Sequence, residues 1–435
     1  MATVQQWTGR EARALRRALR MSVRGFAAYL GAGVRTVASW EAEGVDVCPR
    51  PELQAALDTA LRRADQEVRD RFAAAVQPTD VTAAPRLTGS VARSDGQLCR
   101  DGRWDEDDTD ALAGFLADDH ELDPGTADRL SREWRVVAPP QVVQLRAGRG
   151  VGVRLAHLVT ERADVLRRMD DLVGGRGLYD LVRRELQVTL DLTRGAAYTE
   201  KVGRALLSAV GELCQLAGWV AGDAGRYGSA QRYYLGGVSA AHAARDVPLG
   251  ANLLSSLSYQ VANVGDAREA VLLARSAYGG AVHTATPAVR TLLLERVAWA
   301  EARFGDARAT RRALDAADDT FAECGTEREP AWAYWLSRDE IDVMAGRCFT
   351  ELRQPGPAIA LLTGALTGYD ETHARELALY LSWLAEAHVH AGDPEQAAAH
   401  ATRALRSGAD VSSARTLARM QRVRSLLAPY GIALD

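Results

Sequence analysis

Apolar residues recur at the spacing of an α-helix through most of the chain, beginning with four short amphipathic segments near the amino end. Ser22 can cap the second segment, in which Phe26 and Leu30 share a face, and a glycine turn at 31–33 separates it from the third. The fourth segment follows Pro51, a residue that suits the first turn of a helix. The predicted helices are 8–20, 23–30, 34–41 and 52–75.

Residues 77–107 interrupt this pattern, because they are rich in proline, glycine and serine and carry no apolar period. From residue 108 the spacing is helical again, and it predicts an antiparallel pair over 151–172 and 178–194. We interpret the acidic run 105–110 as a solvated helix start. The chain is therefore predicted to be all-α. Its predicted parts are an amino-terminal domain over 1–76, a linker over 77–107, a helical connecting region over 108–194 and a repeat domain over 195–435.

The last half of the chain is self-similar, because five segments each join a helix, a turn and a second helix that contains small residues. These segments end at residues 230, 270, 310, 358 and 397, which gives steps of 40, 40, 48 and 39. Four segments have glycine at the turn, and the segment that ends at residue 358 has arginine there. Periods of this size are typical of helical hairpins stacked into an α-solenoid. The segments resemble tetratricopeptide repeats with a longer period than usual, and the helix 412–428 would cap the stack.

Residues 21–41, MSVRGFAAYLGAGVRTVASWE, resemble without a gap the helix-turn-helix of phage-repressor-like (XRE-type) transcription regulators. The positions that carry this resemblance are Ala27 at the helix crossing, the Gly31 turn, apolar Val37 and the Trp40-Glu41 ending. The resemblance implies that the helix beginning at Val34 enters the major groove of DNA, where Arg35 suits a bidentate contact to guanine. The implied DNA-binding residues are Arg24, Val34, Arg35, Thr36 and Ser39.

Resemblance to tetratricopeptide repeats also implies that the first helix of each hairpin lines a concave groove. In the second repeat, the polar residues at positions 252, 255, 259 and 263 follow each other in steps of 3, 4 and 4, so they share one helical stripe. Asn252 and Asn263 are the only asparagines in the chain, and an asparagine amide can pair with a peptide backbone. The neighbouring repeats would add Glu212, Gln215 and Glu295 beside larger groups. The predicted ligand-binding residues are Asn252, Ser255, Tyr259, Asn263, Trp219, Trp299 and Arg303.

The charge distribution favours contact with phosphate groups at the amino end. The first 35 residues contain seven arginines and one acid, although the whole chain has a net charge of −4. Lys201 is the one lysine, and this preference for arginine indicates a bacterial genome of high GC content. The five cysteines have no metal-binding or disulfide spacing, and we find no signal peptide and no membrane-length apolar run. We therefore expect a cytoplasmic protein with reduced thiols.

Motifs for catalysis are missing from the sequence. It contains no glycine-rich phosphate loop and no nucleophile elbow. His388 and His390 stand two residues apart, so they point to different faces of a helix and are poor metal ligands together. We expect no enzymatic activity, no cofactor and no metal.

The sequence thus predicts a homodimeric transcription regulator that binds a palindromic operator in double-stranded DNA. Its repeat domain would sense a peptide or small molecule and change DNA binding through the spacing of the two recognition helices. Two alternatives stay open. The repeats could recruit a protein partner to a scaffold that the DNA-binding module tethers, or they could serve only for dimerisation.

Overall fold

The structure, a computed structural model, is all-α, which confirms the predicted fold class. It describes residues 7–43, 47–64, 68–69, 72, 98, 103–118, 120–123, 125–142, 149–173, 175–325, 328–408 and 413–434. These residues form nineteen α-helices in two compact units, Met1–Thr88 and Gly89–Asp435. Most of the predicted linker, 77–107, lies outside the described residues, and the division into four parts stays a prediction.

The first unit contains the helices α1 (Gly9–Ala18), α2 (Val23–Leu30), α3 (Val34–Glu43) and α4 (Pro51–Arg63). Helix α2 begins as predicted, because the Ser22 hydroxyl accepts a hydrogen bond from the Gly25 amide at 3.1 Å. It ends at Gly31, whose φ of 67° is the left-handed conformation that glycine adopts without strain. Helix α3 packs against α1 and α2, and α4 packs against α2. Their shared core includes Trp7, Leu15, Phe26, Ala27, Val37, Trp40 and Leu57.

Three helix ends in this unit differ from the prediction. Helix α1 stops at Ala18 rather than residue 20, where Arg20 turns the chain with a φ of 55°. Helix α3 runs on to Glu43. Helix α4 stops at Arg63, well before residue 75, because Ala64 has an extended backbone with a ψ of 149°. Helical spacing alone did not reveal this break.

The predicted hairpins are present in the second unit, and each consists of two helices joined by a short turn. Each helix packs against the next one along the chain, and the first helix of every hairpin also packs against the first helix of the following hairpin. The first helices therefore form a continuous inner row. The five hairpins are α9–α10 (Glu200–Asp223, Tyr227–Ala244), α11–α12 (Val247–Val264, Ala267–Ala281), α13–α14 (Pro287–Phe304, Ala307–Phe321), α15–α16 (Arg338–Glu351, Pro355–Leu366) and α17–α18 (Ala374–Ala391, Pro394–Ser407).

Small residues let the two helices of a hairpin approach each other. A Cβ atom on Gly218 would lie 2.5 Å from the Tyr234 ring, and one on Gly346 would lie 2.6 Å from Leu362. The equivalent Ser258 donates a hydrogen bond to the Ala270 carbonyl at 2.8 Å. These contacts give a physical reason for the recurring small position in the sequence.

The turn residues behave as predicted in four hairpins. Gly225, Gly305 and Gly392 have positive φ, and Arg353 takes the same conformation with a φ of 57° in the hairpin that lacks a turn glycine. Gly265 is the exception, because its φ is −128°. The long step of 48 residues comes from residues 322–337, which connect α14 to α15 and include a short 3₁₀ turn.

Helices α5 (Glu106–Ala117), α6 (Thr126–Val136), α7 (Val153–Val173) and α8 (Gly175–Gly195) precede the hairpins. Asp105 caps α5 by accepting hydrogen bonds from the amides of Asp107 and Asp108, which confirms the predicted helix start. The start is not solvated throughout, because Asp108 and Thr109 are buried. Helices α5 and α6 pack on the outer helices α10 and α12, whereas α7 and α8 pack on α9. Helix α19 (Ala414–Leu427) packs on α17 and α18 at the end of the row.

Two pairs of very short parallel strands join distant parts of the second unit, and the sequence did not predict them. Strand β1 (Arg103–Trp104) pairs with β2 (Gln141–Val142), and β3 (Arg149–Gly150) pairs with β4 (Ala196–Ala197). Among the described residues, one helix is long and apolar enough to cross a membrane, namely α9. Two thirds of its apolar window are buried, because α7, α8, α10 and α11 surround it.

Candidate functional site

Helix α3 presents an exposed face in the first unit. Val34, Arg35, Thr36 and Ser39 are all exposed on it, while Val37 and Trp40 anchor the opposite face in the core. The apolar side chain of Val34 is among the exposed ones, with 45% of its surface accessible to solvent. Arg24, the fifth predicted DNA-binding residue, is exposed at the start of α2.

One arginine of the basic amino end is structural rather than free. Arg16 on α1 forms a bidentate pair with Glu41 on α3, with Nε–Oε1 and Nη2–Oε2 distances of 2.5 and 2.8 Å. Its remaining donor Nη1 reaches the Met21 carbonyl at 2.7 Å. The hydrogen bond to Glu41 raises the pKa of Arg16 and ties the two helices together. This pair therefore positions α3.

The second unit encloses a cavity of about 520 Å³ on the inner side of the hairpin row. Residues from the first helices α9, α11, α13, α15 and α17 line it, as the resemblance to tetratricopeptide repeats implied. Helix α7, the connections 322–337 and 367–373, and helix α19 with its cap Ser413 supply the rest of the wall. The size of this cavity is in the range of small-molecule sites.

Buried ion pairs close the wall between the two ends of the helix row. Arg375 on α17 contacts Asp170 on α7 at 3.1 Å, and its Nη1 lies 3.6 Å from Asp223 on α9. Asp223 also accepts hydrogen bonds from Arg415 at 2.8 Å and from Ser413 at 2.7 Å. Burial alone would raise the pKa of Asp223, but Arg415 and Arg375 hold it below its usual range.

Aromatic rings form a row from α9 to α17 along the inner helices. The Trp219 and Tyr259 rings stack with centroids 5.9 Å apart, and the Trp299 centroid lies 6.5 Å from Tyr259. Trp383 follows in an edge contact at 5.4 Å from Trp299. Arginine guanidinium groups lie over these rings, with Arg415 4.1 Å from the Trp219 centroid.

Two of these arginines differ from the rest. Arg296 and Arg347 both line the cavity, are 7% and 5% exposed, and have no carboxylate ion-pair partner in the described part of the chain. Their guanidinium carbons lie 4.6 and 5.4 Å from the Tyr259 ring centroid. Arg347 donates one hydrogen bond to the Tyr259 hydroxyl at 2.8 Å, and the Nε atoms of both arginines have no partner among the described residues.

Neither Glu295 nor Glu340 forms an ion pair with these two arginines. Burial, opposed by Arg296, raises the pKa of Glu295 to about 8, so this carboxyl carries a proton at neutral pH. Its Oε1 atom has no hydrogen-bond partner within the described residues. Glu340 accepts hydrogen bonds from the hydroxyls of Tyr369 and Tyr380 at 3.3 and 2.6 Å. The positive charges also affect Tyr259. Burial alone would raise the pKa of its hydroxyl, but the nearby arginines, led by Arg347, lower this pKa to about 8.

The structure brings three of the predicted ligand-binding residues to the main cavity: Asn252, Tyr259 and Trp219. Asn263 lies in a smaller adjacent pocket, where its amide donates to the Tyr259 carbonyl at 2.7 Å. Ser255, Trp299 and Arg303 are not part of the main wall. Ser255 is fully buried and donates to the Asn252 carbonyl. Trp299 lies behind Arg347, and Arg303 pairs with Glu351.

Sequence reasoning missed Arg296, Arg347 and the tryptophans of the connection 322–337, Trp332 and Trp335. The repeat segment that begins at residue 345, the fourth along the chain, had no stripe assigned to it, and the connection was not recognised as an insertion. Gln215 and Glu295, which the repeat pattern placed on the inner side, do line the cavity.

These features define the class of the molecule: a largely helical protein whose antiparallel helix pairs enclose a cavity. Within the described residues, no group of three or more histidine, cysteine, aspartate or glutamate side chains is placed to hold a metal ion. A comparison with protein-family models and with curated proteins finds no matching family and no relative.

Proposed function

We propose that this protein is a homodimeric regulator that binds specific DNA through α3 and an effector through the cavity of its second unit. The observation that carries the proposal is the exposed face of α3. A helix whose inner side is fixed by Val37 and Trp40, and whose outer side offers Arg35, Thr36 and Ser39, has the form of a recognition helix.

The cavity supports the second half of the proposal. Its polar groups come from six or more elements that are far apart in the chain, so a ligand bound there would change contacts along the whole helix row. We expect such a change to alter the Asp170–Arg375 pair first, because this pair joins α7 to the last hairpin of the row.

An apolar stripe on α7 and α8 supports the dimer. Seven of the sixteen large apolar side chains that are exposed in the described part of the chain lie on these two helices. Leu158, Val165 and Met169 follow each other at heptad-like spacing on α7, and Leu181 and Val188 do so on α8. A second copy of the chain would bury this stripe through a two-fold contact, in which the same surface faces itself.

Genome-wide mapping of bound DNA with the full chain tests the proposal. We expect a limited set of sites that share a two-fold symmetric sequence. The purified chain should then prefer one such site over random duplex at physiological salt. An absence of any preference, together with stable capture of one protein partner, would favour the scaffold alternative.

A further inference from the structure

We propose that the cavity of the second unit binds a small aromatic oxyanion, whose charged group lies between Arg296 and Arg347 and whose ring lies against the aromatic wall. The inference names the chemistry of the effector, and it rests on the proposed role of this cavity as an effector site.

The lack of an ion-pair partner for Arg296 and Arg347 among the described residues is the first reason. A buried cation is costly unless it is paired and hydrogen-bonded. Four other buried or half-buried arginines near the cavity meet this need: Arg167, Arg375, Arg415 and Arg419 each contact a carboxylate. Arg296 and Arg347 do not, and the faces of Tyr259 and Trp299 give them only partial compensation.

The position of the free donors is the second reason. The guanidinium carbons of Arg296 and Arg347 lie 4.6 and 5.4 Å from the Tyr259 ring centroid, so both groups adjoin the same residue of the cavity wall. Carboxylate and phosphate groups accept the paired hydrogen bonds that a guanidinium offers.

The wall explains why the rest of the ligand should be aromatic. Seven of the 31 residues that line the cavity are aromatic, whereas aromatic residues make up 6% of the whole chain. Trp332 and Trp335 come from the inserted connection, and Tyr369 and Tyr380 come from the region of α17. The aromatic side chains of this wall can stack on the flat apolar ring of a ligand.

Calorimetric titration of the full chain without DNA tests this chemistry. The probes are naphthoate, naphthyl phosphate, the neutral naphthamide and the cationic naphthylmethylamine. We expect at least one oxyanion to bind about tenfold more tightly than naphthamide, because charged hydrogen bonds add to the same apolar contact. The tighter of the two oxyanions identifies the preferred group. Equal binding of all four probes, a preference for the amine, or no binding of either oxyanion would overturn the proposal.

Variants place the bound group. Arg296→Gln and Arg347→Gln should each weaken oxyanion binding by about tenfold, with circular dichroism showing that the helices are kept. Arg303→Gln is the matched control, because it lies on the same helix as Arg296 but outside the cavity wall. Arg347→Lys keeps the charge and should restore part of the affinity. Equal affinity in all four variants would overturn the proposed position.

The calorimetric titrations test the ligand chemistry separately from the proposed DNA-binding role. Oxyanion binding that leaves DNA affinity unchanged would support the ligand chemistry and count against the coupling to DNA. Sequence-specific DNA binding by a chain that binds neither oxyanion would support the DNA-reading role and overturn the ligand chemistry.

Discussion

The Arg375 guanidinium lies 3.1 Å from the Asp170 carboxylate although 205 residues separate them in the chain. Both side chains are buried, and they belong to α7, which precedes the five hairpins, and to α17, the first helix of the last hairpin. Burial raises the pKa of Asp170 even though Arg375 opposes this effect. The pair therefore acts within a larger set of charges, in which Asp223 and Glu376 also contact Arg375.

Asp170→Ala should lower the free energy of unfolding by about 1.5–3 kcal/mol, the usual worth of a hydrogen bond to a charged group. Arg375 keeps Asp223 and Glu376 as partners, so the loss should stay below that of a fully uncompensated charge. Urea unfolding of the full chain measures it. Asp164→Ala, which removes a more exposed partner of Arg167, is the control and should cost less than 1 kcal/mol.

Glu295→Gln should make the stability of the chain less dependent on pH. The folded carboxyl keeps its proton up to a pKa of about 8, whereas the unfolded one releases it near the ordinary value of 4.5. In the parent, the contribution of Glu295 is fully present below pH 4.5 and is lost as pH rises toward 8, at no more than about 1.4 kcal/mol per pH unit.

Parallel urea titrations at several pH values measure the difference between Glu295→Gln and the parent. The free energy of unfolding of the variant, relative to that of the parent, should increase as the pH rises from 4.5 to about 8. A constant difference across the window would show that Glu295 does not carry this linkage. The charged groups that set its pKa are Arg296, Glu340, Arg347 and Arg338.

Gly218→Ala and Gly228→Ala should have opposite effects. A Cβ atom at position 218 would meet the Tyr234 ring at 2.5 Å, so overpacking should cost about 1–3 kcal/mol. A Cβ atom at position 228 meets nothing within 4 Å on a helix, so alanine should stabilise by about 0.5–1 kcal/mol. Thermal unfolding compares the two variants directly, and equal shifts would contradict the packing seen at the first hairpin.

Arg35→Ala should weaken specific DNA binding by about 1–3 kcal/mol and relax the preference at one base pair. Binding to random duplex should change much less. Arg35→Lys is the informative companion, because it keeps the charge but loses the planar fork that reads guanine. Fluorescence anisotropy with the mapped site and with single-base variants measures both, and unchanged affinity in Arg35→Ala would remove this residue from the reading set.

Val165→Glu should convert the dimer to a monomer, because it places a charge in the centre of the apolar stripe on α7. Its 58% exposure means that the fold of the single chain should tolerate the change. Val264→Glu is a matched control on α11, away from the stripe and 51% exposed. Light scattering gives the mass, and identical masses for both variants would contradict the proposed surface.

Local signals in the sequence predicted most of the helices but not how distant ones meet. The Ser22 cap, the Gly31 turn and the small residue at positions such as Gly218 each have a short-range cause, and each prediction was confirmed. The contact of Asp170 with Arg375 depends on how far the hairpin row curves, which no local pattern records.

The candidate cavity was only partly predictable for the same reason. The stripe from Asn252 to Tyr259 followed from helical spacing, but its middle position is Ser256, which lines the cavity, whereas Ser255 is fully buried and donates to the Asn252 carbonyl. Arg347 is the third residue of its repeat segment, the place that Trp219, Tyr259 and Trp299 take in theirs, so the alignment contained the signal, but no stripe was assigned to that segment. Trp332 and Trp335 lie in that insertion, outside any periodic segment.

A stack of hairpins whose neighbours touch only one another can grow or shrink by gene duplication, because every added unit finds the same interface. The second unit of this chain does not have that freedom. Since α7 meets α17 and α19 meets α9, deleting or adding one hairpin would separate Asp170 from Arg375 and Asp223 from Arg415 at once. The number of hairpins is thus fixed by geometry. We expect this architecture to evolve by substitution within the five hairpins rather than by a change in their number.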